Sequence, residues 1–152
     1  MRARSPTGAT QPDVIAGGEL EFHSVQLATV WAERAESKRW SLAEGVAPPE
    51  LDFAPPLVRS IVSLADGRGF RCDLSVSVTV PVGDREAFEA AVVLRGFFAS
   101  DDAISIRHAR IFSRNQAVFL LWPFARAYLD VLATLAGVAA PPLPTLVIPR
   151  GR

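Results

Sequence analysis

The sequence predicts an α+β fold with a four-stranded antiparallel sheet and a proline-interrupted helix packed on one face of that sheet. Segments that alternate between apolar and polar residues predict strands, because successive side chains of a strand point to opposite faces. Tight turns at Asp66-Gly67 and Gly83-Asp84 join three of these segments, which favours antiparallel pairing. After the last strand, a long apolar segment repeats large side chains at helical spacing, and Pro123 lies inside it.

Composition limits the class of protein. The 152 residues suit a single domain, and 49% of them are hydrophobic. A chain of this size buries about 68–70% of the surface of its unfolded form, so some apolar surface is expected to remain for an oligomer interface or an apolar ligand. The alternative is that these apolar residues all lie in a single large hydrophobic core. Lys+Arg and Asp+Glu number 16 each, and this balance argues against a nucleic-acid-binding protein, which would carry a basic patch.

The N-terminus and the single cysteine indicate the compartment. Residues 1–18 are rich in glycine, proline and small polar residues and are predicted to form a disordered arm, followed by one domain over residues 19–152. Arg2 and Arg4 are not followed by the apolar stretch of a secretory signal. The longest apolar run ends at Trp122 and is far shorter than the ~20 residues of a membrane span, so no membrane insertion is expected. Cys72 has no disulfide partner, which favours a reducing, cytoplasmic compartment.

A proline-rich stretch separates the first two predicted strands. Residues 21–36 carry alternating positions that favour a strand, although three alanines in the same segment leave a helix as the alternative. Residues 38–56 are predicted to be a loop, because prolines at this density do not fit inside a sheet or a helix. A short strand is predicted over residues 57–64.

The last two predicted strands differ in character. Residues 69–82 alternate almost strictly between apolar and polar residues, which predicts one buried and one wet face. Residues 86–100 are apolar on both faces, and Ala91, Val93 and Phe97 occupy the face that an antiparallel sheet would show to water. We therefore expect these three residues to form an interface between copies of the chain.

The helix is predicted to run from Ser113, as its N-cap, to Gly137, after a connector that includes residues 104–111. Pro123 is expected to kink or restart the helix, because proline lacks the backbone N–H of the helical ladder. One stripe of large side chains at helical spacing is expected to be buried. It consists of Phe124, Tyr128, Val131, Leu132 and Leu135.

Catalytic and metal-binding constellations are not evident in the sequence. His23 and His108 are the only histidines, and with one cysteine they do not supply the ligands of a metal site. Cys72 lies on the apolar side of its strand, where a free cysteine usually behaves as a small buried hydrophobe. The sequence therefore predicts a binding protein and not an enzyme, with no cofactor and no metal.

Three runs of residues resemble the SecB family of protein-export chaperones. Residues 92–98 (VVLRGFF) are similar to a family strand that ends in a glycine and an aromatic residue, and residues 119–126 (FLLWPFAR) to the family's helix signature. Pro141, Pro142, Leu143 and Pro144, with Leu146, resemble the segment after that helix. The resemblance covers about residues 20–150, and the proline-aromatic-alanine-arginine run is its specific part.

The resemblance implies a homotetramer built from dimers, which holds unfolded clients in apolar grooves without ATP. The clients would be preproteins delivered to the SecA motor or the antitoxin of a toxin–antitoxin pair. Ala91 and Val93 stand where export members offer acidic residues to the motor, which weighs against SecA docking. The residues expected to line the client groove are Leu27, Val30, Trp31, Trp122 and Phe124.

Two other functions remain as alternatives. One is an interaction or adaptor domain dedicated to a single protein partner, without general chaperone activity. The other is an enzyme or small-ligand carrier, for which a deep closed pocket with convergent polar groups would be required.

Overall fold

The computed structural model of the protein describes residues 25–143 and residue 146. The predicted N-terminal arm, residues 1–18, lies outside the described residues. Four strands are followed by one long helical segment: β1 (Gln26–Ser41), β2 (Asp52–Ser63), β3 (Gly69–Val82), β4 (Glu86–Ala99), α1 (Ile106–Phe112), a π-helical turn (Ser113–Ala117) and α2 (Val118–Leu135). The strands form one antiparallel sheet in the order β1-β4-β3-β2, which confirms the predicted α+β class.

β1 is a strand, as the alternating pattern predicted, and not the alternative helix. It continues to Ser41, so the prediction of a loop from residue 38 was wrong at its start. The last residues of β1 pair with the beginning of β4, where Lys38 lies opposite Glu89 and Ser41 opposite Glu86. The Lys38 ammonium and the Glu89 carboxylate are 3.6 Å apart. Cross-strand partners on β4 therefore extend the strand beyond its apolar positions.

β2 also begins earlier than predicted, at Asp52, and includes Pro55 and Pro56. β2 is an edge strand, and its register with β3 shifts between Ala54 and Leu57, so the two prolines lie in an irregular part of the ladder. An edge position and a bulge are the places where a strand tolerates proline, because no ladder hydrogen bond is lost there.

β3 and β4 form the centre of the sheet and have the predicted turns at their ends. Gly67 and Gly83 adopt positive φ angles of 67° and 61°, as tight turns require. One face of β3 is completely buried, and β4 contributes the neighbouring row of the same core. The large side chains at the centre of this core are Phe70, Leu74, Phe88, Leu94, Phe98 and Phe112.

The helical segment begins earlier than predicted. Ser105 is the N-cap and its hydroxyl accepts a hydrogen bond from the His108 backbone N–H at 3.1 Å, whereas Ser113 lies inside the π-helical turn. The connector predicted over residues 104–111 is therefore largely helical. Gly137 ends the segment as predicted, with a φ of 69°, and the Val138 N–H donates to the Ala133 carbonyl at 2.9 Å.

Pro123 does not restart the helix, because α2 is continuous from Val118 to Leu135. The ring is exposed. Proline has no N–H to donate to the carbonyl one turn before it, so one hydrogen bond of the helical ladder is missing inside a continuous helix.

The predicted buried stripe of the helix was wrong. Phe124, Tyr128, Val131 and Leu135 are exposed, and Leu132 is half-buried. The helix instead packs on the sheet through a neighbouring stripe of smaller average size, which consists of Leu121, Trp122, Ala125, Leu129 and Ala133. A Cβ atom on Gly96 of β4 would lie 2.9 Å from a methyl of Leu121, so helix and sheet approach closely there. Both stripes repeat at helical spacing, so spacing alone does not tell which stripe faces the sheet.

Candidate functional site

The outer side of α2 carries a continuous stripe of exposed apolar side chains. Its members follow each other at intervals of three and four residues, which places them on one side of a helix over about four turns. Their exposed fractions range from 37% for Tyr128 to 79% for Leu135. We call this surface the outer stripe; it consists of Leu120, Phe124, Tyr128, Val131 and Leu135. Contiguous apolar surface of this kind usually marks a binding or assembly site.

By length and composition alone, the helical segment Ile106–Leu135 would suffice to cross a membrane. The inner side of the same segment, however, packs on the sheet. Leu121, Leu129 and Ala133 are completely buried there. The apolar content of the segment is therefore divided between a core contact and the outer stripe.

The sheet face that the helix leaves uncovered, here called the open face, carries a small aromatic cluster. Trp31 of β1 and Phe97 of β4 lie with their ring centroids 5.1 Å apart, and Trp31 is 42% exposed. The Trp31 indole N–H donates to the Glu33 carboxylate at 3.0 Å. The open face thus combines aromatic and charged side chains.

A network of charged side chains continues from this cluster across three strands. The guanidinium of Arg95 donates two hydrogen bonds to the Asp73 carboxylate, each 3.0 Å long, and lies 3.3 Å from Glu33. These hydrogen bonds raise the pKa of Arg95 above its ordinary value, with a smaller contribution from the charges of Asp73 and Glu33. Bidentate pairing fixes both side chains and couples β1, β4 and β3 at one point.

A third candidate site is a cavity of about 570 Å³ between the edge strand β2 and the first half of the helical segment. Apolar side chains of both elements line part of it, among them Leu57, Ile61 and Val118. Three arginines, Arg59, Arg110 and Arg114, line the rest. Sequence reasoning missed these arginines. The spacing of Arg110 and Arg114, one helical turn apart, would have indicated them if the helix had been started at Ser105.

The structure does not bring the five predicted groove residues to one surface. Leu27 and Val30 pack against the core side of the sheet, whereas Trp31 lies on the open face. Trp122 is buried where the helix meets β2, with its ring 5.5 Å from that of Phe53. Phe124 belongs to the outer stripe. The predicted oligomer residues do share a surface: Ala91, Val93 and Phe97 are half-buried on the open face, and Phe97 lies beside Trp31.

Cys72 is unsuited to nucleophilic chemistry. It is completely buried in the core, and this burial raises the pKa of its thiol to about 12, despite a smaller lowering effect of the Ser113 hydroxyl. The thiol therefore stays protonated at neutral pH, and the thiolate that nucleophilic chemistry requires is not formed. Among residues 25–143 and 146, no group of three His, Cys, Asp or Glu side chains could hold a metal ion.

Comparisons with known proteins gave a likeness in structure only. No family model and no curated protein sequence matches the chain. A solved structure of a SecB-like chaperone from Mycobacterium tuberculosis, in complex with a ChAD peptide from the HigA1 antitoxin, is similar to it with a TM-score of 0.58. The two sequences are 18% identical, and the match covers 85% of this chain and 94% of the mycobacterial chain. The chain therefore shares its fold with this SecB-like chaperone, as the sequence resemblance implied.

Proposed function

We propose that the protein is a chaperone that holds unfolded or partly folded polypeptides on exposed apolar surface, without nucleotide or metal. The outer stripe of α2 is the observation that carries this proposal, because five large apolar side chains are exposed there in a row. A polypeptide that buries apolar side chains on such a surface gains about 25 cal/mol per Å² before the costs of ordering. The similar mycobacterial chaperone binds a peptide of an antitoxin, which supports polypeptide clients.

The proposal includes self-association in the cytoplasm. A dimer at least, and a tetramer by resemblance, would bury part of the apolar surface of each protomer and leave the rest for clients. Ala91, Val93 and Phe97 on the open face are our candidates for the contact between copies. Clients would be an antitoxin or a preprotein. Delivery to the SecA motor is the less favoured role, because the open face offers apolar residues and paired charges where an acidic surface would be needed.

The test is suppression of aggregation of a denatured model protein. We expect the wild-type protein to suppress aggregation equally with ATP, without ATP and with EDTA. Val131→Lys should weaken suppression, because it places a charge in the outer stripe, whereas Thr134→Lys adds the same charge to an exposed position on the polar side of α2. Trp31→Ala measures how much the open face contributes to the suppression of aggregation.

Four outcomes would contradict parts of the proposal. Absence of suppression by the wild-type protein ends the general-chaperone function and leaves a domain dedicated to one partner. Equal activity of Val131→Lys and Thr134→Lys removes the outer stripe from client binding. Sedimentation of the wild-type protein as a monomer at tens of micromolar removes the assembly, and sedimentation of Val93→Asp unchanged removes the open face from it.

A further inference from the structure

The cavity between β2 and the helical segment combines positive charge with an apolar lining. Arg59 comes from the edge strand, Arg110 from α1 and Arg114 from the π-helical turn. Several elements thus bring three guanidinium groups to one cavity, although they are separated in sequence. Like charges gathered around a cavity repel one another, and they raise the local concentration of an anion.

Among residues 25–143 and 146, these three arginines have no carboxylate partner, in contrast to several arginines of the sheet. Arg34 pairs with Glu36, Arg39 with Glu86, and Arg95 with Asp73 and Glu33. Within the part of the chain that the structure describes, no salt bridge is formed by any arginine of the cavity. A planar guanidinium matches a carboxylate with two parallel hydrogen bonds, so carboxylates are suitable partners for the unused donors.

Part of the cavity is lined by apolar side chains. A small inorganic anion would contact the arginines but would leave this apolar part unfilled. Leu57, Ile61 and Val118 line the same space as the arginines. A ligand that fits both parts carries acidic groups next to apolar ones. A volume of about 570 Å³ lies within the range of sites that bind organic ligands of this size.

A further observation favours a peptide as this ligand. β2 is the last strand of the sheet, so backbone groups beyond Pro56 on its outer edge can pair with an extended chain.

We propose that the groove between β2 and the helical segment binds an extended peptide in which acidic side chains alternate with apolar ones, with the carboxylates held by Arg59, Arg110 and Arg114. This inference rests on the proposed polypeptide binding and adds a preference for acidic segments. It concerns a surface separate from the outer stripe.

The preference is tested by fluorescence anisotropy with a labelled nine-residue peptide that alternates glutamate with leucine and phenylalanine. The matched probe has glutamine at every glutamate position and the same apolar residues. We expect the acidic peptide to bind about tenfold more tightly at low salt, since that ratio corresponds to one charge-assisted hydrogen-bond pair of about 1.4 kcal/mol. Raising the salt concentration should reduce the difference.

Single variants Arg59→Gln, Arg110→Gln and Arg114→Gln should each weaken binding of the acidic peptide about twofold, a third of its total advantage in free energy, and leave binding of the glutamine peptide unchanged. Arg126→Gln is the matched control, because it removes the same charge from an exposed position of α2 outside the cavity. The three cavity arginines are exposed, so the variants should fold and melt like the wild-type protein.

The outcomes separate the two proposals. Equal affinity for both peptides overturns the acidic preference and leaves polypeptide binding intact. An equal loss of acidic-peptide affinity in Arg126→Gln and in the cavity variants shows that only net charge matters, and overturns the site. Binding of neither peptide, together with suppression of aggregation by the wild-type protein, overturns the site alone. Binding of neither peptide without suppression overturns both.

Discussion

The two apolar sides of α2 differ in what they contact and in the size of their side chains. The inner side is buried on the sheet, includes the small residues Ala125 and Ala133, and brings Leu121 against Gly96. The outer side presents larger residues, such as Phe124 and Tyr128, to solvent. A helix that only completed a core would show a polar outer side. The difference indicates that the inner side stabilises the protomer and that the outer side serves a partner.

The sharpest test of this difference uses the two aromatic residues on either side of Pro123. Trp122→Ala should lower the free energy of unfolding by about 3–5 kcal/mol, because it truncates a buried aromatic side chain. Phe124→Ala should change it by less than about 0.5 kcal/mol, because Phe124 is exposed. Denaturant unfolding at low protein concentration measures both. Similar losses in the two variants would place Phe124 in the core and contradict the assignment of the two sides.

The buried side of the sheet can be probed through the ionisation of Cys72. Its pKa is about 12 in the folded protein and 9.0 without burial, so between these values the folded state binds more protons than the unfolded state. Stability is therefore complete below pH 9 and falls by about 1.4 kcal/mol for each pH unit above it. The free-energy difference between wild type and Cys72→Ala, measured from pH 8 to pH 10.5, should shift by about 2 kcal/mol in favour of the variant. A constant difference would show that the thiol is not shielded from water.

The close approach of helix and sheet predicts a steric effect at Gly96. Gly96→Ala should destabilise the protein by about 1–3 kcal/mol, because the added methyl would lie 2.9 Å from Leu121 and 3.1 Å from the Phe98 ring. In the Leu121→Ala background the same substitution should cost less, since the cavity left by leucine accommodates the methyl. A double-mutant cycle by denaturant unfolding gives the coupling. Additive effects would mean that the helix does not rest on Gly96.

The smallest expected effect concerns the open face. Asp73→Ala should cost about 1–2 kcal/mol, because Asp73 is largely buried and its loss leaves Arg95 with Glu33 alone. Glu36→Ala removes a carboxylate from the exposed pair with Arg34 and should change stability by less than about 0.5 kcal/mol. Thermal unfolding of the two variants under identical conditions compares the pairs. A loss in Glu36→Ala as large as that in Asp73→Ala would contradict the greater weight given to the bidentate pair.

The sequence pattern was most informative for β3, a central strand that pairs with β4 on one side and with β2 on the other. β3 was predicted with its observed bounds, and its apolar positions are buried, because a period of two combined with glycine turns leaves one arrangement. The edges were predicted less well. β1 and β2 extend through charged residues and prolines that have low strand propensity, since pairing with a central strand and shifts of register compensate for it.

The candidate binding surfaces were also predicted only in part. Four of the five residues of the outer stripe were recognised from their spacing, all but Leu120, but they were expected to be buried. The arginines of the cavity were not recognised at all. Each arginine is an ordinary surface residue in sequence, and the cavity arises only because β2 returns to the side of the helical segment.

The sequence by itself determined the α+β class, the number of strands, the turns at Gly67 and Gly83 and the end of the helix at Gly137. These features depend on local alternation, on positive φ angles and on capping, which act over a few residues. Only the tertiary structure decided which apolar side of α2 faces the sheet. Hydrophobicity was sufficient on both sides, and the choice was made by shape, because the helix approaches the sheet closely where Gly96 leaves room for Leu121.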